Sequence, residues 1–185
     1  IDDFSALAHL PKLSFLSLNE TGLYDTKLPE LPALTTLHFQ YNNLPFLIEY
    51  SHLFPKLEKL DLSKIHIENL EALSVFPKLI HLTLDETPIE DLKPLTLWSN
   101  LEYLSLRKCT SIKNMEVLQY CKRLKYLDIY ESNTENVDWL EQLPFLTTIN
   151  LERNLVEDLS ALAKLHQLTT LNISIIEERT DTKPL

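Results

Sequence analysis

Apolar and polar residues in this 185-residue chain follow one frame, L-x-x-L-x-L or a close substitute, that recurs eight times. The frames begin at Leu13, Leu34, Leu57, Leu79, Leu101, Leu124, Leu146 and Leu168, so successive gaps are 21, 23, 22, 22, 23, 22 and 22 residues. Inside each frame the second and third apolar positions alternate with polar ones, the period of a short strand with one buried face. Beyond the frame the apolar period changes to three, as in Ile89, Leu92, Leu95, Trp98 and then Leu101. A stripe of that period suits 3₁₀ or extended turns more than a long α-helix. Each unit therefore reads as strand, turn and apolar return stroke. No unit can bury its own leucines, so neighbours must stack into one continuous core.

Two features punctuate the units. Pro11, Pro32, Pro55, Pro77 and Pro144 each stand two residues before a frame leucine, where they end the return stroke and bias the chain toward extension. Ile67-Glu68-Asn69-Leu70, Ile89-Glu90-Asp91-Leu92 and Val156-Glu157-Asp158-Leu159 share one pattern, and Ile1-Asp2-Asp3-Phe4 is the same half-unit at the start. The Asp or Asn before the final apolar residue is placed to accept backbone N–H groups as the chain turns. On these residues the chain resembles the 22-residue class of leucine-rich repeats found in internalin-type bacterial proteins and in eukaryotic phosphatase-regulatory repeat proteins. The fold this implies is an α/β solenoid, curved and right-handed, with a parallel concave sheet of about eight strands and short 3₁₀ or irregular convex segments. One domain covers residues 1–176 (a half-repeat over 1–12, strand repeats from 13), and 177–185 form a polar tail. The tail has no evident structure, and no cap helix precedes Ile1, so the chain is expected to be a piece of a longer protein whose flanking domains close the core.

The resemblance also implies an asparagine ladder at the ninth place of each frame, with amides bonding backbone groups of successive coils. Here that place reads Thr21, Asn42, Ile65, Thr87, Cys109, Ser132, Asn154 and Ile176. Thr, Ser and Cys supply part of such bonding and Ile none, so a weak point is expected at Ile65. Cys109 reads as a filler of the ladder and Cys121 as a core residue. With one Gly in the chain, most turns are expected to avoid positive φ and to close on Asn, Asp, Ser or Pro. The stretch from Tyr41 to Tyr50 departs furthest from the repeat. It reads as an insertion at the solenoid edge, or as a bulge offering Tyr41, Phe46 or Tyr50 to a ligand.

Residues flanking the second and third frame leucines should point away from the core. Strands about 4.8 Å apart would stack them into a face of roughly 600 Å², against about 800 Å² that one partner contributes to a stable interface. Repeats five and six bring together Tyr103, Arg107, Tyr126 and Tyr130, with His81, Asp85, Glu86, Asp128, Glu131, Glu152 and Arg153 around them. Tyr and Arg concentrate binding energy at interface centres, and charged neighbours set partner choice. Sheet propensity alone also favours Tyr on such a face. The expected function is therefore a non-catalytic recognition or scaffolding module with no cofactor, binding a protein on its concave side.

Net charge is −10, from 17 basic and 27 acidic residues, which disfavours nucleic acid and anionic membrane and points to a basic or mixed-charge protein partner. No apolar run reaches the roughly 18 residues of a bilayer span. Alternatives are a secreted internalin-like bacterial adhesin, a structural spacer, and last a metal or catalytic site at His38, Asp61 and His81, since two His and one Asp suffice for zinc. No HExxH, CxxC or Gly-rich phosphate loop accompanies that trio. Two cysteines are too few for a disulfide framework and lean toward a cytoplasmic protein. A secreted one stays open, because the chain begins at Ile1 and not at its initiator Met.

Overall fold

The structure is a computed structural model and describes residues 3–23, 27–67 and 69–174. Eight three-residue strands form one parallel sheet in sequence order: β1 Phe15–Ser17, β2 Thr36–His38, β3 Lys59–Asp61, β4 His81–Thr83, β5 Tyr103–Ser105, β6 Tyr126–Asp128, β7 Thr148–Asn150 and β8 Thr170–Asn172. Each strand is centred on the second leucine of its frame, or on Ile149 in β7. Those residues pair in register from Leu16↔Leu37 to Ile149↔Leu171. The first frame leucines make the column behind them. Leu34, Leu57, Leu79, Leu101, Leu124 and Leu146 are buried, while Leu13 and Leu168 at the two ends are partly so. The return strokes are 3₁₀ turns such as Lys93–Leu97, and their period-three stripe of Ile89, Leu92, Leu95 and Trp98 is fully in the core. The Trp98 indole N–H donates to the Phe76 carbonyl one coil back at 2.9 Å, so burial leaves no orphan donor.

The Asp and Asn residues at the start of the return strokes act as the pattern predicts. Asp3, Asn69, Asp91 and Asp158 each accept the N–H two residues on, at 2.7–2.8 Å. Asn136, outside the sequence pattern, does the same for Asp138. Those bonds hold the Asp3, Asp91 and Asp158 carboxyls below the usual carboxylate range.

The turns do not avoid positive φ. Glu20, Tyr41, Lys64, Glu86, Lys108, Glu131 and Arg153, all at the eighth place of their frames, are left-handed with φ between 52° and 60°. The reason lies in the ladder. At that φ the chain bends away while its N–H still faces the neighbour, so Lys64, Glu86 and Lys108 donate to Asp85, Arg107 and Tyr130 carbonyls at 2.7–2.8 Å. A non-glycine residue there costs roughly 1–2 kcal/mol, which the extra rung offsets at Glu20, Lys64, Glu86, Lys108, Glu131 and Arg153.

The side-chain ladder at the ninth place is discontinuous. Asn42 and Asn154 Nδ2 reach the Leu18 and Ile129 carbonyls of the preceding coil at 2.6 and 2.7 Å. Cys109 and Ser132 make the same reach to Leu84 and Leu106 at 3.0 and 2.7 Å. Ile65 is buried and supplies nothing, while Thr87 bonds its own coil's Leu84 carbonyl at 2.6 Å. The ninth-place reach to the preceding coil thus lapses for two successive steps, where the sheet-face pairs Gln40–Asp61 and Lys64–Glu86 still link side chains across the coils. Amides of the turn at 62–66 are expected to exchange with deuterium faster than the matching amides at 106–110, read by hydrogen-exchange mass spectrometry. Equal protection would show that the joint holds without the ninth-place reach.

The departure at 41–50 is one true α-helix, α1 Leu44–Glu49, started by Asn43, whose side chain accepts the Phe46 N–H at 3.2 Å. Phe46 is buried and its ring stacks near Phe39, so it is a core residue and not part of a ligand bulge. Tyr41 alone of the three is exposed. Cys121 is in the core as expected. Ile1 and Asp2 of the N-terminal half-unit, Glu68, Ile176 and the tail at 177–185 lie outside the described residues.

Candidate functional site

Parallel register places equivalent residues of successive strands side by side, so the sheet face is a set of columns. The first column runs through His81, Tyr103 and Tyr126. His81 and Tyr103 rings stack at 3.6 Å between centroids and 11° between planes; Tyr103 and Tyr126 stack at 4.1 Å and 5°. At the other end of the face, Phe15 meets His38 edge-on at 5.0 Å. Three parallel rings in contact form a half-buried aromatic rail across β4, β5 and β6. Burial pushes the Tyr103 and Tyr126 phenols up, so both stay protonated and able to donate at neutral pH.

The neighbouring columns brace the rail. Asp128 is 3% exposed. It accepts from Arg107 Nη1 at 2.8 Å, from the Tyr130 N–H at 3.0 Å and from the Tyr126 hydroxyl at 3.3 Å. Its placement corrects the expectation that it faces a partner. Asp128 lies on the sheet face, as strand alternation requires, but Arg107, Tyr126 and Tyr130 cover it, so it braces those side chains and offers little surface of its own. Ser105 and Asn150, in the same column, are buried too, and so is Ser63 one column over. Asp85 is half-buried and accepts Ser105 Oγ at 2.6 Å and the Arg107 N–H at 3.1 Å. Burial raises its carboxyl despite those bonds. Ser105 is the residue that the sequence reading leaves out of this cluster; the signal for it is an Asp one coil earlier.

Arg107, fixed by Asp128, lies over the Tyr130 ring at 4.5 Å, and Arg153 approaches the same ring at 5.6 Å. Arg153 also pairs with Glu131 at 3.6 Å, and Glu86 with Lys64 at 3.7 Å. The outermost column therefore alternates in sign: Lys64, Glu86, Lys108, Glu131, Arg153. Glu152 is half-buried, and its backbone carbonyl takes the Glu131 N–H at 3.0 Å. The structure thus brings the predicted residues into one patch, as an aromatic rail and a cation-flanked tyrosine on a carboxylate footing.

His38, Asp61 and His81 do not form a metal centre. Asp61 is engaged by Gln40 Nε2 at 2.5 Å and by the Ser63 N–H and hydroxyl, His38 packs on Phe15, and His81 stacks on Tyr103. Among the described residues no group of three His, Cys, Asp or Glu side chains is disposed to hold a metal ion.

Burial, with Lys59 opposite, pushes the His81 imidazole down from its ordinary 6.5 to about 4. A base whose folded pKa is depressed binds its proton more readily when unfolded, so stability drains away as pH falls from about 6.5 toward 4. After discounting for solvent screening at this half-exposed ring, His81 should account for about 1–2 kcal/mol of that loss. Urea midpoints at pH 7 and 4.5 should converge by that amount in His81→Phe. The comparison isolates His81 because Asp85, with a raised pKa, acts in the opposite sense, and Asp3, Asp91 and Asp158 lose their contribution only below their ordinary 3.8.

Residues 68–175 match the family model described as the LRR domain of endo-beta-N-acetylglucosaminidase EndoS. Leucine-rich repeat-containing protein 23 of Bos taurus is 33% identical over 177 residues, 95% of this chain. The chain spans about half of that relative, 51% of its length. Among solved structures, internalin C2 of Listeria monocytogenes superposes with a TM-score of 0.75 at 25% identity, over 94% of this chain and 76% of that one. A leucine-rich repeat protein of Leptospira interrogans superposes with a TM-score of 0.73 at 22% identity, over 93% of this chain and 46% of that one.

Proposed function

The chain belongs to the leucine-rich repeat family, and from that premise we propose that its sheet face binds a protein partner, without catalysis, around Tyr103, Arg107, Tyr126 and Tyr130. Leucine-rich repeat folds serve protein–protein interaction in general and are typically non-enzymatic. The observation that supports this centre is the stacked His81–Tyr103–Tyr126 rail beside a Tyr130 ring flanked by two guanidiniums. Stacking and the Asp128 anchor fix these side chains before a partner arrives, so little rotamer entropy remains to be lost on binding. Large, rigid aromatic and Arg side chains at the centre of a face are what dominate interface energies. The alternating outer column gives a rim that matches a partner of mixed charge and disfavours one with a single strong sign.

A pull-down with the wild-type chain beside a Tyr103→Ala/Tyr126→Ala/Tyr130→Ala variant tests the reading. The variant is expected to lose the specific partner while keeping its circular dichroism spectrum. Retention of that partner would move the binding site elsewhere on the molecule.

A further inference from the structure

Large apolar side chains left exposed in the middle repeats collect on one edge. Val75, Leu97 and Tyr120 are 42%, 62% and 61% exposed. Each is the last residue of its 3₁₀ turn, in Leu70–Val75, Lys93–Leu97 and Met115–Tyr120, and each stands four residues before a frame leucine. They therefore form a column across three successive coils, at the corner where the chain leaves the convex side to run into the strands. Phe145, 56% exposed, sits on the same leading edge immediately before Leu146. A shallow cleft of about 260 Å³ opens beside Val75, between Phe54, Pro55, Pro77 and Lys78.

Cations line this edge in a chain that is acidic overall. Lys56, Lys78 and Arg123 each directly precede a frame leucine, and Lys122 adjoins Arg123. Lys78 Nζ donates to the Pro55 carbonyl and Lys122 Nζ to the Gln142 carbonyl, both at 3.0 Å. Among the described residues none of these four cations is in an ion pair with a carboxylate; on this edge Lys125 is, with Glu102 at 2.8 Å. The trailing edge, just after the turn that follows each strand, is richer in acids, with Glu90, Asp91, Glu135, Glu157 and Asp158 against Lys93 and Lys113, while the leading edge carries Glu58 and Glu102 beside its cations.

We propose that this leading edge is a second interaction surface, separate from the sheet face, that docks an acidic amphipathic helix of a partner protein. The spacing supports a helix. Successive coils repeat about every 5 Å, and a helix presents residues i, i+3 or i+4, and i+7 in steps of about 5 Å along its axis. An apolar stripe of that kind would lie along Val75, Leu97 and Tyr120, and carboxylates flanking it would meet Lys78, Lys122 and Arg123. A phospholipid surface fits less well, because a broad anionic plane would confront the net charge of −10 and not the edge alone.

The test uses a synthetic fluorescent helix with leucines at i, i+3/i+4 and i+7 and glutamates elsewhere. The same helix with lysines for glutamates, and vesicles of phosphatidylserine and phosphatidylcholine, complete the set. Fluorescence anisotropy should show the glutamate helix binding the wild-type chain, with hydrogen-exchange protection at 75–78, 97–100 and 120–123. Affinity should fall about tenfold or more in Leu97→Ser/Tyr120→Ser and in Lys78→Glu/Arg123→Glu, and stay unchanged in Tyr126→Ala/Tyr130→Ala. These edge side chains are exposed, so the variants should remain folded. Absence of binding, equal binding of the lysine helix, or loss confined to the Tyr126/Tyr130 variant would overturn the proposal. Vesicle binding that the edge variants abolish, without binding of the glutamate helix, would overturn it in favour of a membrane.

Discussion

Asp128→Ala is expected to lower the unfolding free energy by about 2–3 kcal/mol and to weaken partner binding as strongly as removing a contact tyrosine. Asp128 is nearly inaccessible, yet it receives the Arg107 guanidinium, the Tyr130 amide and the Tyr126 hydroxyl. Without it the partly buried Tyr130 N–H has lost its acceptor. Arg107 is half exposed and regains water, which keeps the cost below that of stranding a fully buried charge. The larger consequence falls on order. Arg107 no longer has a reason to lie over Tyr130, and the patch reverts to several loose side chains whose freezing opposes binding. Asp128→Asn separates the two effects, since its amide oxygen still accepts from Tyr130 while the charge on Arg107 is lost. It should cost about 1 kcal/mol of stability and still impair binding. Urea denaturation and titration with the captured partner would measure both. A fully stable Asp128→Ala chain that binds normally would show that Asp128 is a spectator.

The solenoid itself was legible because its cause is local and repeated. A leucine every 22 residues or so needs no long-range information to be recognised, and the strands fall on the predicted leucines in register. The same holds for the Asp and Asn caps, whose bonds span two residues. What was not legible depends on the neighbouring coil. Left-handed Glu, Lys and Arg at the eighth place carry no composition signal; they are tolerated because an N–H there finds an acceptor in the next coil, a carbonyl for Glu and Lys and the Ser174 hydroxyl for Arg153. Asp128 reads as a surface residue in its own coil and becomes a footing only when Arg107 arrives from the coil before. Phe46 reads as an exposed aromatic in an insertion until α1 turns it inward onto Phe39. The leading edge escaped for a related reason: Val75, Leu97 and Tyr120 are unremarkable one at a time and form a feature only as a column.

Leu104→Ala is expected to destabilise the chain by about 3–4 kcal/mol and to divide its unfolding into two transitions. Leu104 is fully buried at the centre of β5, between Leu82 and Leu127 in register. In a solenoid each coil touches only its neighbours, so global cooperativity is the product of interface strengths along one dimension. A cavity at the fifth coil weakens the joints on both of its sides. The coils before it already lack the ninth-place reach to the preceding coil at Ile65 and Thr87, whereas those after it keep the Ser132 and Asn154 rungs. The chain's two tryptophans lie on either side, Trp98 buried before β5 and Trp139 buried after β6. Single-tryptophan versions, made with Trp98→Phe or Trp139→Phe, should report coincident urea midpoints in the parent. In Leu104→Ala the Trp98 midpoint should fall below that of Trp139, because the weaker half has lost the neighbour that held it. Coincident midpoints in the variant would mean that the backbone ladder alone transmits stability across the cavity, and that the missing rungs at Ile65 and Thr87 carry no weight.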